Sequence, residues 1–277
     1  MALMRLCIKV GGALVETTEG RARLAAMLRR AITRGEECIL VHGGGKQIAE
    51  VATRLGLEER RHEGLRITDA ATARVVTWVL AGEVNKGIVA ALVTSGIQAI
   101  GICGADLGFF TPTRKTSDVD LGYVGTLTPN DVDGRVIDNL LASLVIPVVA
   151  TIGPEQGSAG DDPFLNVNAD EAAGPIAAAL RCDLLLLLSD IPGVLDKNGD
   201  CIEHIDEARA HELIQDGTIR GGMIPKIRAA LDACRAGVGS VRIAPLEGDT
   251  AIEDALAGRG TEIRIEDEDA KDITLGG

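Results

Sequence analysis

Two lysines and one aspartate stand where they could neutralise the charge of a phosphoryl group: Lys9 in Lys9-Val10-Gly11-Gly12, Asp170 in Asn166-Val167-Asn168-Ala169-Asp170, and Lys226 in Gly221-Gly222-Met223-Ile224-Pro225-Lys226. Lys9 closes an apolar strand, so its ammonium points towards the strand-end crevice where parallel α/β sheets bind ligands. The plainer reading is a snorkelling surface lysine. Pro225 suits a helix's first turn, which puts Lys226 at the positive end of that helix, unfavourable for a cation unless an anion is nearby. Asp170 opens a helix, either as an ordinary cap or as an acceptor that holds lysine ammoniums in place. Gly11-Gly12 and Gly43-Gly44-Gly45 each end an apolar strand, where backbone N–H groups can approach phosphate oxygens closely. Neither run matches GxGxxG or GxxxxGK[ST], and taken singly each is as well explained by a tight turn.

The remaining polar residues fit around that set. In Gly64-Leu65-Arg66-Ile67-Thr68-Asp69, Thr68 or Asp69 caps the following helix. Arg66 could grip a carboxylate through two parallel hydrogen bonds, although residue type alone favours a surface arginine. Asn166 and Asn168 alternate along an extended segment and so face the same way. Leu188-Ser189-Asp190-Ile191-Pro192-Gly193-Val194 is a further strand end running into a turn, a place for a nucleotide's ribose or base. His42 packs in the strand-end turn before the triple glycine, and His62, His204 and His211 share no metal-ligand spacing. A carboxylate acceptor is already ionised at neutral pH, so its phosphorylation needs alignment and charge neutralisation, not a base.

The elements that must position these residues alternate. Strands are predicted at Leu6–Val10, Cys38–His42, 97–103, 145–152, Leu184–Leu188 and 240–244. Helices are predicted at about 20–34, 46–56, 69–95, 135–144, 169–180, 206–216, 222–236 and 249–257 from apolar spacing of three and four. Short apolar strands between helices imply βαβ crossovers and a mainly parallel sheet covered on both faces. Residues 104–134 read as a hairpin or excursion beside the sheet, and Gly153–Leu165 as a polar lid or substrate-side loop. The tail 263–277 is acidic and ends frayed, and a lobe boundary falls near 181.

Composition bounds the rest. Hydrophobic residues make up 46% of the 277 and aromatics 2%, so the core is built of small aliphatic side chains. A net charge of −13 with no basic stretch argues against a nucleic-acid partner. The six cysteines have no CxxC pair and read as buried or semi-buried free thiols of a cytoplasmic protein. Apolar runs such as Leu184–Leu188 are too short to cross a membrane, so none is expected as a partner.

Taken in order, Lys9-Val-Gly-Gly12, Val41-His-Gly-Gly-Gly45, Gly64-Leu-Arg-Ile-Thr-Asp69, Asn166-Val-Asn-Ala-Asp170, Leu188–Asp196 and Gly221–Lys226 resemble the N-acetylglutamate kinases of the amino acid kinase superfamily. The resemblance implies a three-layer αβα sandwich. It implies an N-terminal lobe, 1–181, for acyl-amino-acid binding and dimerisation, and a C-terminal lobe, 182–277, for ATP. It implies ATP with Mg²⁺ arriving on the nucleotide, N-acetyl-L-glutamate as acceptor, an acyl phosphate product in arginine biosynthesis, and a homodimer. By the same resemblance Lys9 and Lys226 stabilise the phosphoryl group, Asp170 orients both, and Gly11, Gly12, Gly44 and Gly45 supply backbone donors. Gly44, Gly45, Arg66 and Asn166 hold the acceptor. Lys9, Ser189, Asp190, Gly193, Val194, Leu195, Gly222, Met223 and Lys226 hold the nucleotide. Gly104–Gly108 departs from the family's GxDG, and the 153–165 loop is longer than the family's. The immediate first strand argues against an interlaced, arginine-inhibited hexamer. The same fold acting on another N-acylated acidic amino acid, of the N-succinylglutamate or aminoadipate type, is the alternative. A dinucleotide oxidoreductase is disfavoured by the absent GxGxxG.

Overall fold

The computed structural model describes residues 4–160 and 162–265, so the acidic stretch 266–272 and the frayed end expected of the tail lie outside the described residues. Among the described residues, fourteen strands and ten α-helices alternate. The strands are β1 (Arg5–Val10), β2 (Glu37–His42), β3 (Arg61–His62), β4 (Leu65–Arg66), β5 (Ala99–Ile102), β6 (Thr113–Arg114), β7 (Val124–Thr126), β8 (Ile146–Ala150), β9 (Ile152–Gly153), β10 (Leu165–Val167), β11 (Leu184–Ser189), β12 (His204–Ile205), β13 (Ser240–Pro245) and β14 (Thr261–Ile263). The helices are α1 (Ala13–Glu16), α2 (Thr18–Arg34), α3 (Gly45–Arg54), α4 (Ala70–Thr77), α5 (Asn85–Thr94), α6 (Gly134–Ala142), α7 (Ala169–Ala179), α8 (Glu207–Gln215), α9 (Met223–Arg235) and α10 (Ala251–Leu256).

Eight strands form one sheet in the order β12-β14-β13-β11-β1-β2-β8-β5, parallel except where β14 meets β13. Side chains alternate across it. Leu6, Ile8, Val10, Leu40 and Leu186 face one core with α2, α4, α5 and α10, while Cys7, Ile39, Val41, Leu185 and Leu187 face the other with α6 to α9. Helices therefore cover both faces, which explains strands that read as unbroken apolar runs. The chain leaves β1 towards β2, and β11 closes on the opposite side of β1. The C-terminal ends of these three strands form a topological switch point, the usual ligand crevice of open α/β sheets.

Each predicted strand and helix is present, with ends shifted by a few residues. The expected strand 145–152 divides: β8 stays in the main sheet, and β9 joins a four-stranded sheet, β6-β7-β10-β9. The excursion at 104–134 contributes the β6–β7 hairpin of that sheet. One membrane-related expectation needs correction. By length and composition the helix spanning Ala70–Thr94 is long and apolar enough to cross a bilayer, although Arg74, Glu83 and Lys86 interrupt its apolar run. Its Val75, Val76, Val79, Leu80, Ile88 and Leu92 lie in the core. Its middle, Trp78–Val84, is a π-helical segment, which widens the turn in a way that apolar spacing does not reveal. Five cysteines are buried or half-buried, but Cys201 is exposed, because it sits in the turn that follows β11.

Candidate active site

Alternation along β1 and the pitch of α7 assemble the charged centre. Cys7 faces α7, its Sγ 3.9 Å from the Ala173 carbonyl oxygen. Two residues further along β1, Lys9 is on the same face, and one helical turn back along α7 from Ala173 is Asp170. Lys9 Nζ lies 2.8 Å from Asp170 Oδ1, and Lys226 Nζ lies 3.6 Å from Oδ2. Helix α9 can lay Lys226 this close because it packs tightly on α7: a Cβ on Gly174 would sit 3.1 Å from that of Ala233. All three side chains are 14–27% exposed, so they are partly desolvated yet open to a ligand. Burial alone raises a carboxyl's pKa, but the Lys9 and Lys226 ammoniums together hold that of Asp170 below its ordinary value. Asp170 is not the helix cap; Asn168 is, its Oδ1 accepting the Asp170 N–H at 2.9 Å. The aspartate is thereby left to the lysines.

The glycine turns flank this centre. A Cβ on Gly11 would stand 3.5 Å from Lys9 Nζ, and one on Gly12 would stand 3.7 Å from Asp190 Oδ1. The ends of β1 and β11 thus meet over the crevice. Gly12 has φ 52°, in the left-handed region. Gly44 precedes α3 and packs so closely on the π-helical segment that a Cβ there would lie 2.8 Å from Leu80 Cδ2 and 3.0 Å from Val84 Cγ2. A Gly44→Ala substitution is therefore expected to destabilise the fold by about 1–3 kcal/mol through overpacking, measured as a lower melting temperature; an unchanged one would show that Leu80 and Val84 yield.

Arg66 corrects the expectation drawn from residue type. It is 7% exposed, not a surface arginine. Its Nη2 donates to the Gly45 carbonyl at 3.1 Å and lies 3.1 Å from Glu59 Oε1. The β3–β4 hairpin carries it inwards, and Asp69 caps α4 by accepting the Thr72 N–H at 2.8 Å. Arg66, Asn166, Asn168, Gly44 and Gly45 line a single cavity of about 190 Å³, closed on its apolar side by Leu65, Leu80 and Val124. Thr151 also lines this cavity; neither it nor Glu59 carries a periodic signal in the sequence, one being a lone threonine and the other a charged loop residue.

The residues expected on the nucleotide side divide. Ser189 and Asp190 lie at the end of β11, and Gly222 precedes α9, whose first residue is Met223. Val194 is 2% exposed; its N–H donates to Thr261 Oγ1 at 2.8 Å and its carbonyl accepts from Ile202. Gly193 is pressed against Cys201 and Thr261, whereas Leu195 is exposed. Within this turn, then, Gly193 and Val194 are committed to internal contacts. Size does not follow the chemistry: a hollow of about 940 Å³ beside α9 is walled by Lys115, Glu171, Gly222, Pro225 and Arg228, and excludes Lys9, Asp170 and Lys226.

A model of the amino acid kinase family matches residues 4–245. The chain belongs to the amino acid kinase family. It is 44% identical over 260 residues to an acetylglutamate kinase of Allorhizobium ampelinum, covering 89% of this chain and 84% of that one. It is 40% identical to an acetylglutamate kinase of Koribacter versatilis, covering 87% and 90%. Among solved structures, an N-acetylglutamate synthase of Neisseria gonorrhoeae superposes with a TM-score of 0.81 at 23% identity, over 95% of this chain and 60% of that longer one. A carbamate kinase of Giardia lamblia superposes with 0.66 at 17% identity, over 96% and 99%. At such identities the structural likeness concerns the amino acid kinase fold alone.

Proposed function

We propose that this chain is an ATP-dependent kinase that phosphorylates the side-chain carboxylate of N-acetyl-L-glutamate, the acyl phosphate serving arginine biosynthesis. The observation that carries it is the Lys9–Asp170–Lys226 triad beside a small cavity holding one buried arginine and two asparagines. The relatives' shared name supplies the acceptor.

The roles follow from placement. Arg66 and Asn166 hold the acceptor's α-carboxylate side, and Leu65, Leu80 and Val124 give the cavity an apolar wall for an acyl methyl. Nucleotide phosphates lie over Gly11, Gly12 and the start of α9, with residues 182–277 supplying most of the nucleotide's contacts. Lys9 and Lys226 neutralise charge that spreads over the moving phosphoryl oxygens, while Gly44 and Gly45 N–H groups donate to them. Asp170 holds both ammoniums and takes no proton. The residues fit a Mg²⁺ ion that travels with the nucleotide: Asp170 is taken up by the lysines, Asp190 stands beside the Gly12 turn, and the ion when bound would supply further neutralisation of phosphate charge.

The test is ATP-dependent hydroxamate formation with hydroxylamine and Mg²⁺, run across N-acetylglutamate, N-succinylglutamate, N-acetyl-aminoadipate and glutamate. Turnover on N-acetylglutamate above the others supports the reading, and none on it rejects it. In the same assay Arg66→Lys should raise the acceptor KM about 10- to 100-fold, the worth of a lost charged hydrogen bond, with kcat within a few-fold. A KM equal to the parent's would remove Arg66 from the acceptor site.

A further inference from the structure

On the side of the triple-glycine turn away from the lysines lies a buried polar chain that phosphoryl transfer does not touch. His42 and Asn85 are 0% and 1% exposed. Asn85 Nδ2 donates to the Val148 carbonyl at 2.8 Å and meets His42 Nε2 at 3.0 Å. Asn85 Oδ1 accepts from Lys86 Nζ at 3.1 Å, and Lys86 also donates to the Gly101 carbonyl at 2.9 Å. The Val148 carbonyl fixes the Asn85 nitrogen as the donor end, so His42 Nε2 must accept. The ring proton is therefore on Nδ1, which donates to the Gly43 carbonyl at 3.1 Å. Burial, helped by the nearby Lys86 charge, pushes the ring's pKa down to about 4, so it is neutral near pH 7. Room for this chain exists only because residue 101 is glycine; a Cβ there would sit 1.7 Å from Asn85 Oδ1.

The Gly43–Gly44 peptide is not cis, so its N–H points opposite to its carbonyl. A carbonyl held against the imidazole sends the Gly44 N–H the other way. That N–H opens α3 and has no protein acceptor among the described residues. We propose that Asn85 and His42 are positioning residues for the kinase reaction: Asn85 fixes the His42 tautomer, His42 fixes the Gly43 carbonyl, and the Gly44 N–H is thereby aimed at the transferring phosphoryl group. The inference rests on the kinase reading above. The π-helical segment serves it twice, setting Leu80 and Val84 under Gly44 and delivering Asn85 to His42 immediately afterwards.

Three variants test it: Asn85→Leu, which keeps size without the amide; His42→Phe, which keeps a ring without nitrogens; and His42→Asn, whose amide nitrogen can stand where Nδ1 stood. In Asn85→Leu and His42→Phe, kcat should fall about 10- to 100-fold with both KM values changing less than about threefold, and His42→Asn should recover most of the loss. Nitrogen-15 NMR should show the wild-type His42 ring as the single Nδ1–H tautomer, and a mixture in Asn85→Leu. Melting curves accompany each variant. Full kcat in a folded Asn85→Leu or His42→Phe overturns the proposal. So does a loss in His42→Asn equal to that in His42→Phe and tracking melting temperature, which marks a purely structural role. Where a variant fails to fold, an Nε2–H ring in the wild type still overturns it. Absence of wild-type turnover would instead sink the kinase reading, while the tautomer result continues to test the chain of hydrogen bonds.

Discussion

In a Lys226→Met variant, turnover should fall about 10²- to 10³-fold, the cost of removing one preorganised donor from a developing charge. The acceptor KM should stay within a few-fold, because Lys226 does not line the cavity proposed for the acceptor. The fold should survive, since the side chain is 27% exposed and its ammonium lies 3.6 Å from its partner; a partly exposed ion pair at that distance is worth at most about 1 kcal/mol. Steady-state kinetics with a melting curve on the same preparation decide the matter, and a kcat within twofold of wild type would remove Lys226 from the chemistry.

Asp170→Asn should cost nearly as much by a different route. The amide is the same size but cannot hold two ammoniums, and misplacement of both by about 1 Å lowers kcat about 10²-fold. The variant also carries a pH signature. The lysines hold the Asp170 pKa below its unfolded value, so ionised Asp170 contributes stability that is fully present above the unfolded carboxyl value and is lost as pH falls through the folded one. At pH 7 the wild type should be more stable than Asp170→Asn by about 1–2 kcal/mol, discounted from the full cost of breaking a buried pair because the site is partly exposed. Below the ordinary carboxyl range the two should converge. Denaturant titrations at pH 7 and at acid pH measure this; a gap that persists unchanged into acid would show that Asp170 acts through shape rather than charge.

What could be read from residue order was whatever depends on local periodicity. Lys9 was visible because one charged residue interrupts an otherwise apolar strand, and Lys226 because Pro225 marks a helix start that disfavours a cation. Arg66 was misjudged on residue type because its burial comes from the β3–β4 hairpin and from Glu59, neither of which has a repeating pattern. For Asp170 the residues left a cap and a lysine acceptor open, and Asn168 fills the capping role. The four-stranded sheet escaped notice because strands of two or three residues are shorter than any alternation can register. Asn85 gave no sign at all, being one polar residue within a long apolar helix.

Sequence alone determined the layers of this protein, the strand ends that carry its lysines and glycines, and the absence of a need for a base, since these follow from apolar spacing and from the charge of a carboxylate. Tertiary structure alone decided that two ammoniums separated by 217 positions in the chain share one aspartate. It alone also turned Arg66 inwards and sealed His42 beneath the glycines. Those outcomes depend on which face of a strand meets which turn of a helix, a three-dimensional register that no local window of residues contains.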